Sequence, residues 1–195
     1  MKDDDFSKFF KIPDKPTIYE DSRDRWDPYF LDICCSVSTK SSCLSRQIGA
    51  ILVRDHSIIS TGYNGPPRDI PHCGHNRLMR DKVLQHKFSD NFVRPELVST
   101  NCPRQLLGYE SGTHMELCPA QHAEENAISN AARLGVSVLN STLYMNSIIP
   151  CQKCFGTLIN AGIIEIVIQQ AKTYDEQTQF LINNSEILIR EFSNV

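Results

Sequence analysis

The chain has 195 residues, with 20 Lys and Arg against 23 Asp and Glu for a formal charge of -3, and 41% hydrophobic content. That length suits one domain with a full core, and the slight acidity gives no global attraction for a long polyanion such as duplex nucleic acid. The acidic start, "MKDDDFSKFF", has no apolar targeting segment, and no later run approaches the roughly 18 apolar residues of a membrane span. A cytoplasmic protein is expected, and in that reducing setting its eight cysteines point to metal or core roles over disulfides.

Residues 1–25 mix both charge signs with Pro13 and Pro16 and show no apolar period, which predicts an N-terminal arm, with the domain proper over 26–195. From Asp27, "DPYFLDICCSVSTKS" reads as a helix with Asp27 as N-cap and Pro28 at its first position. Cys34 and Cys35 fall mid-helix and read as buried apolar cysteines without chemistry. "QIGAILVRD" and "SIISTGYN" read as a β-hairpin around the polar turn Asp55-His56.

The segment from about 74 to 118 fits no regular element, yet is long for a structureless loop. It holds His75, His86, Cys102, His114 and Cys118 and is bracketed by Cys43 and Cys73, so a bound metal is expected to staple it. Residues 122–134 then form a helix closed by Gly135. "STLYMN" and "IIEIVIQ" read as strands joined through "PCQKCFGTLINAG", a helix that starts at a proline and stops at Gly162. A helix near Asp175 to Ile182 and a last strand, "EILIREF", complete an α/β fold, a three-layer α/β/α sandwich on a mixed sheet of about five strands.

Two of these segments carry chemistry. "QHAEENAI" sets His122, Glu124 and Glu125 at a helix start, and "IIPCQKC" sets Cys151 and Cys154 at another. A hydrolytic zinc site takes three protein ligands and keeps a fourth position open. His122, Cys151 and Cys154 supply three, and a helix N-terminus favours the cysteines as thiolates. Glu124, two residues past His122, is placed for general acid/base work without binding the metal, because a closed structural site has no use for it. Glu125 reads as a solvated helix residue.

H-x-E followed by P-C-x-x-C is a signature established for zinc deaminases, and the chain resembles the cytidine and deoxycytidylate deaminase superfamily. "WDPYFLDI", "RQIGAILV", "STGYNGPP", "HAEENAI", "YMNSIIPCQKC" and "INAGI" occur in the order found in deoxycytidylate (dCMP) deaminases and span most of residues 26–175. The resemblance implies the cytidine deaminase-like fold and zinc-dependent deamination of dCMP to dUMP and ammonia, with attack at C4 of the cytosine and Glu124 protonating N3. It implies that the backbone at Ala123 holds the base edge, that Asn64 contacts the sugar and that Tyr174 lies near the substrate. Arg46 is a candidate for the 5′-phosphate. Gly62, Tyr63, Asn64 and Gly65 resemble the loop where allosteric members bind dCTP or dTTP with Mg²⁺ at a subunit interface, so a homo-oligomer is implied; on turn chemistry alone, "YNG" is a turn.

The resemblance also implies a second, structural zinc, as in phage members with a cysteine just before the first strand and another just after the GYNG loop. Cys43 and Cys73 match those positions, and Cys102 and Cys118 are the thiolates available in the inserted segment, with His72, His75 or His114 as substitutes. Four ligands would close such a site. Two other readings share parts of the pattern. A tRNA or single-stranded DNA deaminase would need an electropositive channel and stacking aromatics, against a charge of -3 and 8% aromatic content. A non-catalytic zinc module binding a protein partner leaves Glu124 unexplained.

Overall fold

The computed structural model describes residues 22–110, 112–173 and 175–192. Five strands, β1 (Gly49–Arg54), β2 (Ser57–Tyr63), β3 (Thr142–Ile148), β4 (Glu165–Gln170) and β5 (Leu188–Glu191), form one sheet in the order β2-β1-β3-β4-β5. β1 runs antiparallel to β2 and β3, while β3, β4 and β5 are parallel. The β1–β2 turn places Asp55 and His56 at φ 51° and 55°, the left-handed pair that matches the twist of a tight hairpin.

The period-two pattern of the strands divides the core between two helical layers. Ile51, Val53, Tyr144 and Val167 face Phe30 and Cys34 of α1 (Ser22–Ser38). Ala50, Leu52, Leu143, Met145, Ile166 and Ile168 face Ala123 and Ala127 of α5 (Ala123–Arg133) and Phe155 and Leu158 of α6 (Gln152–Asn160). The last helix, α7 (Glu176–Asn183), starts where the Asp175 carboxylate accepts the Thr178 N–H at 2.7 Å. The architecture is the three-layer α/β/α sandwich expected, and burial of each large core side chain contributes about 1.5–3 kcal/mol.

Three expectations need correction. The first helix begins at Ser22, so Pro28 lies inside it and the last residues assigned to the arm belong to the fold; residues 1–21 lie outside the described residues. Asp27 is no cap. It is buried, and its carboxylate accepts from Tyr144 Oη at 2.9 Å and pairs with Arg190 of β5, a tertiary role that outweighs the local one. Cys34 is buried against the sheet but Cys35 is exposed, because one residue turns a helix by about 100°.

The inserted segment is also more regular than its sequence suggested. It folds into α2 (His75–Arg80), α3 (Lys82–Asp90) and α4 (Pro103–Leu106), with 3₁₀ turns at Pro95–Ser99 and Met115–Leu117. Leu78, Leu84, Phe88 and Val98 form a satellite core of their own. These helices are too short to show an apolar period.

Candidate metal centre and active site

Two helix N-termini converge on the site. α5 begins at His122, which occupies the N-cap position, and its backbone N–H donates to the Glu125 carboxylate at 3.2 Å. Glu125 thus fixes the backbone of His122 and is not simply solvated, a capping role readable from its place three residues into the helix. α6 begins at Cys151, with Phe155 N–H donating to the Cys151 carbonyl at 2.8 Å to close the first turn. The dipoles of the two helices, aimed at the same place, make the region favourable for anions.

His122 Nδ1 lies 3.5 Å from Cys151 Sγ and 3.3 Å from Cys154 Sγ. Zn–S bonds of about 2.3 Å and Zn–N bonds of about 2.0–2.1 Å hold sulfur and nitrogen about 3.5 Å apart around a tetrahedral ion. The donor atoms of these three residues all lie within 4.8 Å of one another, the one such group of His, Cys, Asp or Glu among the described residues. Donor chemistry and spacing both fit zinc.

The electrostatics divide the site into two parts. A hydrogen bond from Cys154 pulls the Cys151 thiol down to about 4, while the same bond and burial push Cys154 up. The hydrogen bond to Cys151 raises His122, against the opposing effect of burial. Glu124 is 5% exposed, and burial raises its carboxyl above the usual range. A buried carboxyl whose charged form is disfavoured is suited to holding and returning a proton.

β2 positions this assembly from the other side. Ser60 Oγ donates to the Ala127 carbonyl at 2.6 Å, Asn126 Nδ2 to the Tyr63 carbonyl at 2.8 Å and Asn130 Nδ2 to the Thr61 carbonyl at 2.8 Å. The spacing of Asn126 and Asn130, one helical turn apart, is the sequence signal for this seam. Gly65 and Gln121 exchange backbone hydrogen bonds at 3.1 and 2.8 Å, so the Gly62–Gly65 loop is tied to the residue preceding His122. Tyr63 is half-exposed on that loop.

Asn64 is buried, with Ile48 N–H donating to its Oδ1 at 2.8 Å and its Nδ2 donating to the Arg46 carbonyl at 2.9 Å. Among the described residues, one N–H and one lone pair of the amide are left over. Ala123 is fully buried at the first position of α5, and Arg46 is exposed. Tyr174 lies outside the described residues.

The other cysteines gather elsewhere. Cys43, Cys73, Cys102 and Cys118 line one enclosed cavity of about 20 Å³ together with Arg77 and Arg104, room for a single ion or water. Their sulfurs are more widely spread than the donors of the first site. His72 contacts Ser42, and His114 stacks on Tyr109 and pairs with Glu116; neither they nor His75 line that cavity.

A mixed sheet with an H-x-E helix start facing a P-C-x-x-C helix start defines a zinc-dependent deaminase architecture. Residues 24–170 match the family described as the cytidine and deoxycytidylate deaminase zinc-binding region. The chain belongs to this family. It is 32% identical over 171 residues to the deoxycytidylate deaminase of Saccharomyces cerevisiae, covering 88% of this chain and 46% of the yeast protein. It is 34% identical over 153 residues to the deoxycytidylate deaminase of Enterobacteria phage T2, covering 75% of this chain and 79% of the phage protein. The chain thus spans about half the length of the yeast relatives it matches, 46% and 45%, but most of the phage ones. The crystal structure of a dCMP deaminase from cyanophage S-TIM5, in complex with dCMP and dUMP, shares the fold at a TM-score of 0.58 and 20% identity, over 86% of this chain and 96% of that one.

Proposed function

We propose that the chain hydrolyses dCMP to dUMP and ammonia, a step toward thymidine nucleotides. The observation that carries this reading is the buried carboxyl of Glu124 one residue into the helix capped by His122, beside Cys151 and Cys154. A zinc ion held by His122, Cys151 and Cys154 supplies Lewis acidity and an activated water. Glu124 would take a proton from the attacking water and give it to N3 of the cytosine, then take the proton of the new C4 hydroxyl and give it to the departing amine, so that it ends as it began. C4 gains an oxygen as its bond to nitrogen breaks. The two converging helix ends and the raised Glu124 favour these transfers without further charge in the site.

The remaining assignments follow the same reading. Ala123 presents backbone to the base edge, the free N–H and lone pair of Asn64 face the sugar, and Tyr174 and Arg46 serve the rest of the nucleotide. The Gly62–Gly65 loop takes dCTP or dTTP with Mg²⁺ in a homo-oligomer, and its hydrogen bonds to Gln121 give an effector a direct path to His122. Cys43, Cys73, Cys102 and Cys118 close on a second, structural zinc, supported by their common cavity. None of the eight cysteines is in a disulfide, in keeping with a reducing, cytoplasmic setting.

Ammonia release measured over dCMP, CMP, dCTP, deoxycytidine and short oligonucleotides tests the proposal. Turnover is expected with dCMP and no competition from excess tRNA or single-stranded DNA at moderate salt. Preference for an oligonucleotide would overturn it.

A further inference from the structure

Two arginines share the four-cysteine cavity. Arg77 on α2 and Arg104 on α4 are each 6% exposed, and both line the cavity with Cys43, Cys73, Cys102 and Cys118. Cations are almost never buried so deeply unless a counter-charge meets them. Arg77 donates to Cys73 Sγ at 3.6 Å, to the Asp81 carboxylate at 3.1 Å and to the Leu117 carbonyl. Arg104 donates to the Thr113 carbonyl, and its Nε is buried without a hydrogen-bond partner, the one such side-chain atom among the described residues.

An orphaned guanidinium N–H at a cavity walled by thiols calls for a charged acceptor. Four neutral thiols cannot provide it. Four thiolates around a divalent cation carry a net charge of about -2, and two guanidinium groups in the same wall balance it. Asp81 pairs with Arg77 at 3.1 Å and is not among the residues lining the cavity, so it offsets part of the Arg77 charge, while Arg104 Nε is left without a partner.

We propose that Arg77 and Arg104 are positioning and charge-balancing residues for a tetrathiolate metal site, with Arg104 Nε–H donating to a thiolate sulfur of the filled site. The inference rests on the second-zinc reading. It defines the ligand class: a soft divalent ion bound by the four thiolates, since four cysteines and no histidine line the cavity. It also assigns the insertion its electrostatic purpose, since α2 and α4 each bring one arginine to a cysteine pair from outside the hairpin.

The test compares wild type, Arg104→Met and Arg104→Lys, with total metal by mass spectrometry, zinc release to a chromogenic chelator, and circular dichroism to verify the fold. Wild type should hold two zinc ions and release them in two phases. Arg104→Met should speed the structural phase by about 10–100-fold, the usual consequence of losing a partner of a metal ligand. Arg104→Lys should recover most of that loss by keeping the charge. Arg77→Met and Arg77→Lys give the same comparison from α2 if Arg104→Met fails to fold. Two zinc ions with equal release rates in all variants would overturn the arginine role while leaving the second zinc intact, and equal damage from Met and Lys would overturn charge balance. One zinc ion in wild type, with no thiolate-to-cadmium charge-transfer band from the four cysteines, would overturn the second site itself.

Discussion

A β-carbon placed on Gly62 would lie 2.2 Å from the carbonyl oxygen of Ala123 and 2.3 Å from the amide nitrogen of Ala127, so β2 and α5 meet backbone to backbone beside the catalytic helix start. Neither neighbour is a flexible side chain that could yield.

Gly62→Ala should therefore push α5 away from the sheet. Overpacking a well-packed contact costs about 1–3 kcal/mol, occasionally more, and the upper end is expected here. Displacement of His122 and Glu124 by about 1 Å can cost ~10²-fold in rate. Urea unfolding and ammonia release measured together should show both losses; an unchanged variant would mean the strand and helix are not in this contact.

The buried ion pair offers a test far from the metal. Asp27 bonds Arg190 and Tyr144 across α1, β5 and β3, and Arg190 also donates to Glu165 at 2.7 Å. Asp27→Ala leaves Arg190 with Glu165 alone and strips the Tyr144 hydroxyl of its acceptor, which should cost about 1–3 kcal/mol. Paired replacement, Asp27→Leu with Arg190→Met, should recover much of that in equilibrium unfolding. Zinc content should stay at the wild-type value in both.

Alkaline pH should weaken the fold through the α1 face. Burial pushes the Cys34 thiol from 9.0 up to about 12, with Cys35 adding to the rise. The folded state holds this proton where the unfolded chain has lost it. The stability is thus fully present below about pH 9 and is lost as pH rises toward about 12. Tyr144, raised first by burial and then by Asp27, adds to the same slope. Denaturant midpoints recorded against pH should fall less steeply in Cys34→Val.

The cysteine sites should separate by consequence. Cys43→Ser or Cys102→Ser should take the zinc count from two to one and lower thermal stability, because metal-binding energy there is folding energy. The satellite core of Leu84 and Val98 should keep part of the insertion ordered. Cys151→Ser should remove turnover at a smaller cost in stability, since α5 and α6 are held by the main core. Metal analysis with thermal melts distinguishes the two patterns.

The candidate metal site was legible because its residues are local: His122 and Glu124 sit at one helix start and Cys151 and Cys154 at another, and the fold brings His122, Cys151 and Cys154 together. The strands were legible for a similar reason, since apolar runs such as "GAILVR" are buried on both sides. Asp27 was misread because a residue suited to capping served a partner 163 positions away. The insertion was misread because helices of four to nine residues carry too few turns to show a period. The arginines of the second cavity gave no sequence signal at all, since only burial marks them out.

Glu124 is the residue on which the functional reading turns. Glu124→Gln keeps size and hydrogen-bonding capacity but cannot carry a proton. In the zinc-loaded chain it should retain the metal and the fold, and it should lower ammonia release from dCMP by about 10²–10⁴-fold, the range for general acid/base catalysis. Turnover near the wild-type rate, with zinc fully bound, would contradict the account.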